Sequence, residues 1–518
     1  MISFIKPLVF LYFSILSPFV ESVIITGSVP KSLWGKKVFL NGPQKVYREK
    51  TNLDGPAHIT CVNLINNNTT TIDGGKITAA SIQAAQIDSN AITSNTIDTS
   101  YGSHGTKQSN FNSYYKDENG YLDFTFSDFI TDGIDAKGDG DLDPSDRQSF
   151  GLNIGGDIGD STSVSLNIID SKANIMYDSP YPAGKYENDL RQIGLGLTQK
   201  FSDRLQTRID INDQNVLRHG SKYELNTMSI INELDFDSSK LSIGLMNSVD
   251  KDVGNIKEIK HTDVFSQWQG LIGTNELSVG ARIIDHDKFS THTTYNFNWA
   301  RDLSARLRLN GSYGTATNLP NHYANNLNIG AGKTALKPER SKNLEFGLTG
   351  DYDWGDVELK LYKNKVTDAF SYVWIGGDAY YKNDGIVNIQ GAEIVLGTDL
   401  MGWDLDSTLS FNKAIAKSTD LQKGRRPNRM VSLNLSKSSG KWKRNINWTA
   451  RSWAWDKDDH SNGKNGGYGL LNLSTSYDFT ENLSVYLNRN NALDKDYEMA
   501  KGYNTLGKTS TLGLTYNF

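Results

Sequence analysis

One cysteine, Cys61, stands in 518 residues, so neither an internal disulfide nor a cysteine-rich metal site can form. Proline is scarce, at 11 residues, which leaves long stretches of backbone able to pair in ladders. No uninterrupted apolar run reaches about 18 residues, so membrane-crossing helices are not expected. Apolar content of 37% and a mean hydropathy of −0.49 point the same way. The net charge is only −5, and no basic stripe marks a nucleic-acid partner. The eight histidines are scattered without metal-ligand spacing, and no nucleophile–base constellation can be assembled. An enzyme is therefore not expected.

What the chain has in quantity is glycine (47) and tyrosine (24), which suit tight turns, long strands and interfacial aromatic girdles. From about residue 97 onward, alternating segments of roughly ten residues recur between tight polar turns and longer polar loops. In the last of them Leu512, Leu514, Tyr516 and Phe518 share one face, with Thr511, Gly513, Thr515 and Asn517 on the other. Val431, Leu433 and Leu435 repeat the pattern, as do Tyr295, Phe297 and Trp299. Turns are read at 117–120, 203–204 and 354–356, and longer loops near 135–146, 178–189, 318–338, 420–428 and 456–467. The rhythm predicts an all-β fold: a transmembrane antiparallel β-barrel of about 22 strands, the size of plugged outer-membrane transporters. A soluble sandwich or propeller would show a compact two-sheet rhythm, which is missing here.

The first fifth reads differently. Lys6 and the apolar run from Leu8 to Leu16 predict a signal peptide over residues 1–20. Ile72, Ile77, Ile82, Ile87, Ile92 and Ile97 recur every five residues, a period of neither strand nor helix. They suit a thin repeat stack docked inside the barrel, or a linker. Further on, Asp135, Asp139, Asp141, Asp143 and Asp146 crowd five carboxylates into twelve residues. Such crowding favours a screening cation, and Ca²⁺ takes several oxygen ligands at once. Against the EF-hand pattern, Lys137 stands where an acid belongs and Asp146 replaces the bidentate Glu. A solvated acidic loop is the alternative.

Six motifs, in order over about residues 98–518, resemble those of TonB-dependent outer-membrane transporters, specifically the cobalamin (BtuB-like) branch. They are Tyr101–Thr106, Ser312–Thr315 with Pro320, Ala335-Leu336-Lys337-Pro338-Glu339-Arg340-Ser341 with Glu345, Asn388-Ile389-Gln390-Gly391-Ala392-Glu393, Arg425-Arg426-Pro427, and Asn491–Glu498 with Gly502-Tyr503. Tyr101–Thr106 is similar to the start of the family's first barrel strand. The resemblance implies a Gram-negative outer-membrane protein, set in lipid and acting as a monomer. It implies active import of a scarce small-molecule ligand, cobalamin or a related organometallic compound, driven by the TonB complex. Glu21, Ser22, Val23, Ile24, Ile25 and Thr26 are similar to the TonB box, whose extended backbone adds to a partner's sheet edge. The family's plug motifs are missing or out of order, so residues 21–97 are expected to hold this box and a shortened, atypical plug. In the resembled transporters a loop placed like 135–146 binds calcium, so a structural Ca²⁺ is expected here, with no catalytic cofactor. Tyr323, Tyr380, Tyr381 and Trp455 are candidate ligand contacts on the loops. A passive pore with a reduced plug, and a surface-binding or phage-receptor barrel, remain alternative readings.

Overall fold

The computed structural model describes residues 95–518 apart from 178–183, 219, 255–256, 321, 323, 326–327, 329–331, 334 and 376–377. The signal peptide, the TonB-box residues, the plug-like segment and the isoleucine repeat up to Ile92 lie outside the described residues.

Antiparallel pairing of sequence neighbours generates one sheet of 23 strands, of which Leu421–Gln422 is a two-residue rung inside a loop. The other 22 form the wall. The first, Thr96–Gly102, pairs antiparallel with the last, Thr509–Asn517, so the sheet closes on itself and leaves no edge. Side chains lock this seam. Asp98 accepts hydrogen bonds from the hydroxyls of Thr515 (2.7 Å) and Tyr486 (3.1 Å). The predicted class and strand number are both observed. Two boundaries moved. Tyr101–Thr106 ends the first strand and makes its turn rather than starting it. Ile97, the last isoleucine of the period-five series, belongs to that same wall strand.

The alternation seen in the sequence becomes an inside and an outside. On Asn275–His286 every second residue from Glu276 to His286 is buried, whereas Val279 and Ile283 between them are about half exposed (48% and 49%). Leu512, Leu514, Tyr516 and Phe518 are likewise exposed. In water so continuous an apolar surface would be a liability; on a barrel it is the band that meets lipid. Glycines admit tight packing where rings lie across the ladder. A Cβ on Gly513 would sit 2.1 Å from the Tyr486 ring, and one on Gly391 would sit 2.3 Å from the Phe411 carbonyl oxygen.

Short connections join one end of the wall, as at 353–354 and 401–402, and longer ones the other. Long loops in such barrels are extracellular. Of the expected loops, 178–189 is shorter than read, because Gly184–Ser202 already pairs with Thr162–Tyr177. One element went unforeseen: a separate hairpin, Phe370–Ile375 with Asp378–Asn383, within the connection after Gly355–Thr367.

Candidate functional site

The barrel builds two polar regions. The first is on the inner wall, where consecutive strands place charges in register. Asp263, fully buried, accepts from His261 Nδ1 at 3.0 Å and is paired with the Arg282 guanidinium. Lower on the wall Arg308 grips Glu276, with Nη1 3.0 Å from Oε1, and reaches Asp302 at 3.2 Å. Gln267 donates to Ser278 Oγ at 3.0 Å. Each is a fixed donor–acceptor pair, and the two arginine forks are charge-assisted. They supply oriented polarity, not a nucleophile with its base. No sequence motif flagged them, since partners such as Asp263 and Arg282 are 19 residues apart and meet only through strand register. The available signal was a charged residue repeatedly falling on the face opposite Val264, Val279 and Ile283.

The second region is the mouth formed by the long loops. Asp456 organises it. Its carboxylate accepts from Arg425 Nε (3.2 Å), Asn465 Nδ2 (3.1 Å), the Lys501 amide (3.0 Å) and Asn462 Nδ2 (2.7 Å). Burial works to raise its pKa, but the donors from Asn462, Lys501 and Asn465 and the Arg425 charge outweigh it and hold the carboxyl below the usual range. Beside it, His460 stacks on Trp455 with centroids 3.9 Å apart, and Lys464 Nζ lies 3.8 Å from the Trp453 ring and 4.8 Å from that of Trp455. The Arg425-Arg426-Pro427 motif thus finds its purpose in Asp456, which sequence reasoning passed over as ordinary loop polarity.

The other motifs are also structural anchors. Glu339 accepts the Phe370 amide (2.6 Å) and Asn318 Nδ2 (2.8 Å), tying the extra hairpin to the wall. Asn328 holds the backbone of Tyr381 through both an acceptor and a donor contact, at 2.7 and 2.8 Å. Tyr381 is packed with Ala324, Leu336 and Phe370, so it is a hairpin core residue rather than a ligand contact. Tyr380 sits under Lys333, whose Nζ lies 4.8 Å from its ring, and Tyr323 falls outside the described residues. Asp494 pairs with Lys508 across the last loop, at 3.2 Å, instead of with its neighbour Lys495.

The acidic loop divides. Asp135, Asp139 and Asp141 each bring one carboxylate oxygen within 4.8 Å of the others. Asp143 Oδ2 accepts the Ala136 amide at 3.1 Å, and Asp146, already on the strand Ser145–Ile158, takes Asn174 Nδ2 at 2.8 Å. The amide of Gly140, followed by those of Gly138 and Asp139, holds the Asp135 carboxyl below its ordinary pKa. Asn504 caps the loop by donating to the carbonyls of Asp135 (3.0 Å) and Ala136 (2.7 Å). The oxygen-only, anionic donor set fits a hard divalent cation.

Comparison with known proteins agrees with this architecture. The copper transporter OprC superposes with a TM-score of 0.67 at 17% identity, covering 82% of this chain and 80% of its own. A ferric enterobactin receptor (PfeA) from Pseudomonas aeruginosa gives 0.70 at 13% identity, with coverages of 82% and 80%. The siderophore receptor PirA from Acinetobacter baumannii gives 0.69 at 14%, with 82% and 81%. At such identities the likeness is one of fold, and nothing in these neighbours supports the cobalamin branch. The family model described as "TonB dependent receptor-like, beta-barrel" matches residues 82–492. That family is made of outer-membrane receptors and transporters of Gram-negative bacteria, coupled to TonB and serving small-molecule ligands. With most of the chain matched and a closed 22-strand wall in place, this protein belongs to the TonB-dependent receptor-like β-barrel family.

Proposed function

We propose that the chain imports a scarce metal-bearing ligand, an anionic metal chelate, as a monomer energised through residues 21–26. The observation that supports the ligand class is the mouth, where the exposed Trp453 ring and the Lys464 ammonium stand beside the Trp455–His460 stack, with Arg425 held nearby by Asp456. Ring faces stack on planar ligand groups, and the cations attract carboxylate or catecholate oxygens. Fold neighbours named for copper and for siderophores fit the same class. Cobalamin is a metal chelate too, but this mouth favours an anion over it.

The test is equilibrium binding of ferric enterobactin, cupric ion and cyanocobalamin to the purified protein, with energised uptake in cells with and without TonB. Binding of the ferric chelate, and TonB-dependent uptake of it, are the expected results. Preference for cyanocobalamin would overturn the anionic reading. Removing the cation with Lys464→Ala should weaken chelate binding about fivefold, the upper value of about 1 kcal/mol for a solvent-exposed pair of opposite charges.

Energy coupling has its own test. Ile24→Pro removes a backbone donor from the segment proposed to add to a partner sheet, so energised uptake should fall to the level of cells lacking TonB while surface binding stays intact. Unchanged uptake would dismiss the box. A passive pore predicts instead large, steady conductance from the purified protein in a planar bilayer.

Calcium belongs to the proposal as a structural ion of the mouth, held by Asp135, Asp139 and Asp141 with loop oxygens or water completing the shell. Titration calorimetry should show a calcium heat that Asp139→Asn with Asp141→Asn abolishes. No heat at millimolar calcium removes the ion from the account.

A further inference from the structure

We propose that the outer wall carries a binding site for a phosphorylated, acylated lipid of the outer leaflet, seated on the strands Glu339–Tyr352, Gly355–Thr367, Ile386–Leu400 and Trp403–Ala416. Strand register arranges the outward side chains in rows. The uppermost reads Lys342, Lys365, Asn388, Ile415 and the next Leu344, Lys363, Gln390, Lys413. Below them come Phe346, Leu361, Ala392, Phe411 and Arg429, then Leu348, Leu359, Ile394, Leu409 and Val431. Two rows that each carry two lysines therefore sit directly above two rows that are apolar apart from Arg429. No acidic residue occurs in any of the four.

These lysines are exposed, and among the described residues none has a carboxylate within ion-pair distance. Asp368, beyond the end of the strand Gly355–Thr367, is taken by Arg340 one row higher, at 2.8 Å. Elsewhere on the outer wall a lysine of this kind is neutralised, as Lys260 is by Glu258 at 2.9 Å. Here Lys342 and Lys365 stand directly opposite each other, and like charges so placed destabilise a sheet. An anion between them would turn that repulsion into attraction.

Lys363, Lys413 and Arg429 line an open groove of about 580 Å³ together with Phe346, Leu361 and Phe411, and Lys342 and Lys365 stand one row above it. Ala392 makes the dip, since it is the one small side chain between Leu361 and Phe411 in its row. The cations lie at the ends of their strands away from the tight turns at 353–354 and 401–402, which is the extracellular side. Height, charge and shape thus agree on one occupant: phosphate at the lysines, acyl chain in the groove. A free phosphate would leave the groove unused, and a neutral lipid would leave the lysines unopposed.

The experiment places the purified full chain in phosphatidylethanolamine nanodiscs doped with bis-phosphorylated lipid A or its dephosphorylated form, and reads retained lipid by native mass spectrometry. Preferential retention of the phosphorylated lipid is expected. Lys342→Gln, Lys363→Gln, Lys365→Gln and Lys413→Gln together should weaken it by at least about thirtyfold, since each surface cation near a membrane contributes several-fold. Ala392→Trp, which fills the groove and leaves every charge, should also weaken it. Lys441→Gln with Lys443→Gln, at the opposite rim, should change nothing. Equal retention of the dephosphorylated lipid, an unaffected quadruple variant, or complete displacement by millimolar inorganic phosphate would overturn the proposal.

Discussion

Replacing Arg308 with methionine will lower the unfolding free energy of the barrel by about 3–5 kcal/mol, the usual cost of removing one partner of a buried ion pair. Glu276 and Arg308 are 6% and 8% exposed, so water cannot take over when the guanidinium goes. Glu276 would lose both guanidinium bonds, and Asp302, the register partner of Arg308, would lose its contact at 3.2 Å. Urea titration of the folded barrel in lipid vesicles measures the loss. The informative comparison is the double variant Glu276→Gln with Arg308→Met. It should recover part of the stability, because no buried unmatched charge is then left at position 276, and Asp302 is exposed enough to be solvated. Strictly additive effects of the two substitutions would mean that the pair is not coupled.

The second large effect is expected at the mouth and should be local. Asp456→Ala removes the acceptor shared by Arg425, Asn462, Asn465 and the Lys501 amide, which joins three separate loops. Several donors would lose their partner at once, at about 1–3 kcal/mol for each buried one. The wall, held by its own ladders, should melt as before. Hydrogen exchange should accelerate over 423–428, 454–465 and 499–503 by a hundredfold or more, and chelate affinity should fall with it. Unchanged exchange there would refute the organising role of Asp456. The same group sets a pH dependence. Its folded pKa is depressed, so its contribution is fully present above the ordinary aspartate pKa near about 3.9 and is lost as pH falls through the lower folded value. Loop order should therefore persist at mildly acidic pH and fade only in strong acid.

The wall was legible in the sequence because a barrel in lipid writes its pattern in one dimension. Leu512, Leu514, Tyr516 and Phe518 alternate with polar residues whatever their neighbours are, and the tight turns punctuate the alternation. What was not legible depends on register or on loop closure. Asp263 and Arg282 carry no local signal of pairing, and in sequence Asp456 looks like the neighbouring Asp458 and Asp459 until the loops are folded. In the acidic loop, sequence cannot separate Asp135, Asp139 and Asp141, whose carboxylates converge, from Asp146, which lies on a strand, and Asp143, which accepts a backbone amide. The hairpin at Phe370–Asn383 was missed because alternation cannot tell a strand in the wall from one that pairs only with its neighbour in sequence.

The seam between Thr96–Gly102 and Thr509–Asn517 also has a kinetic meaning. Most other wall pairings join strands adjacent in sequence and can form as hairpins, whereas the Asp98–Thr515 contact spans 417 residues. Loop-closure entropy for that contact must be met before it returns any stability, so closing the seam is the slow step. Until it docks, the sheet carries two unpaired edges and an apolar face, the features that drive aggregation. The chain therefore has to be shielded for the whole time its final nine-residue strand is still searching for its partner.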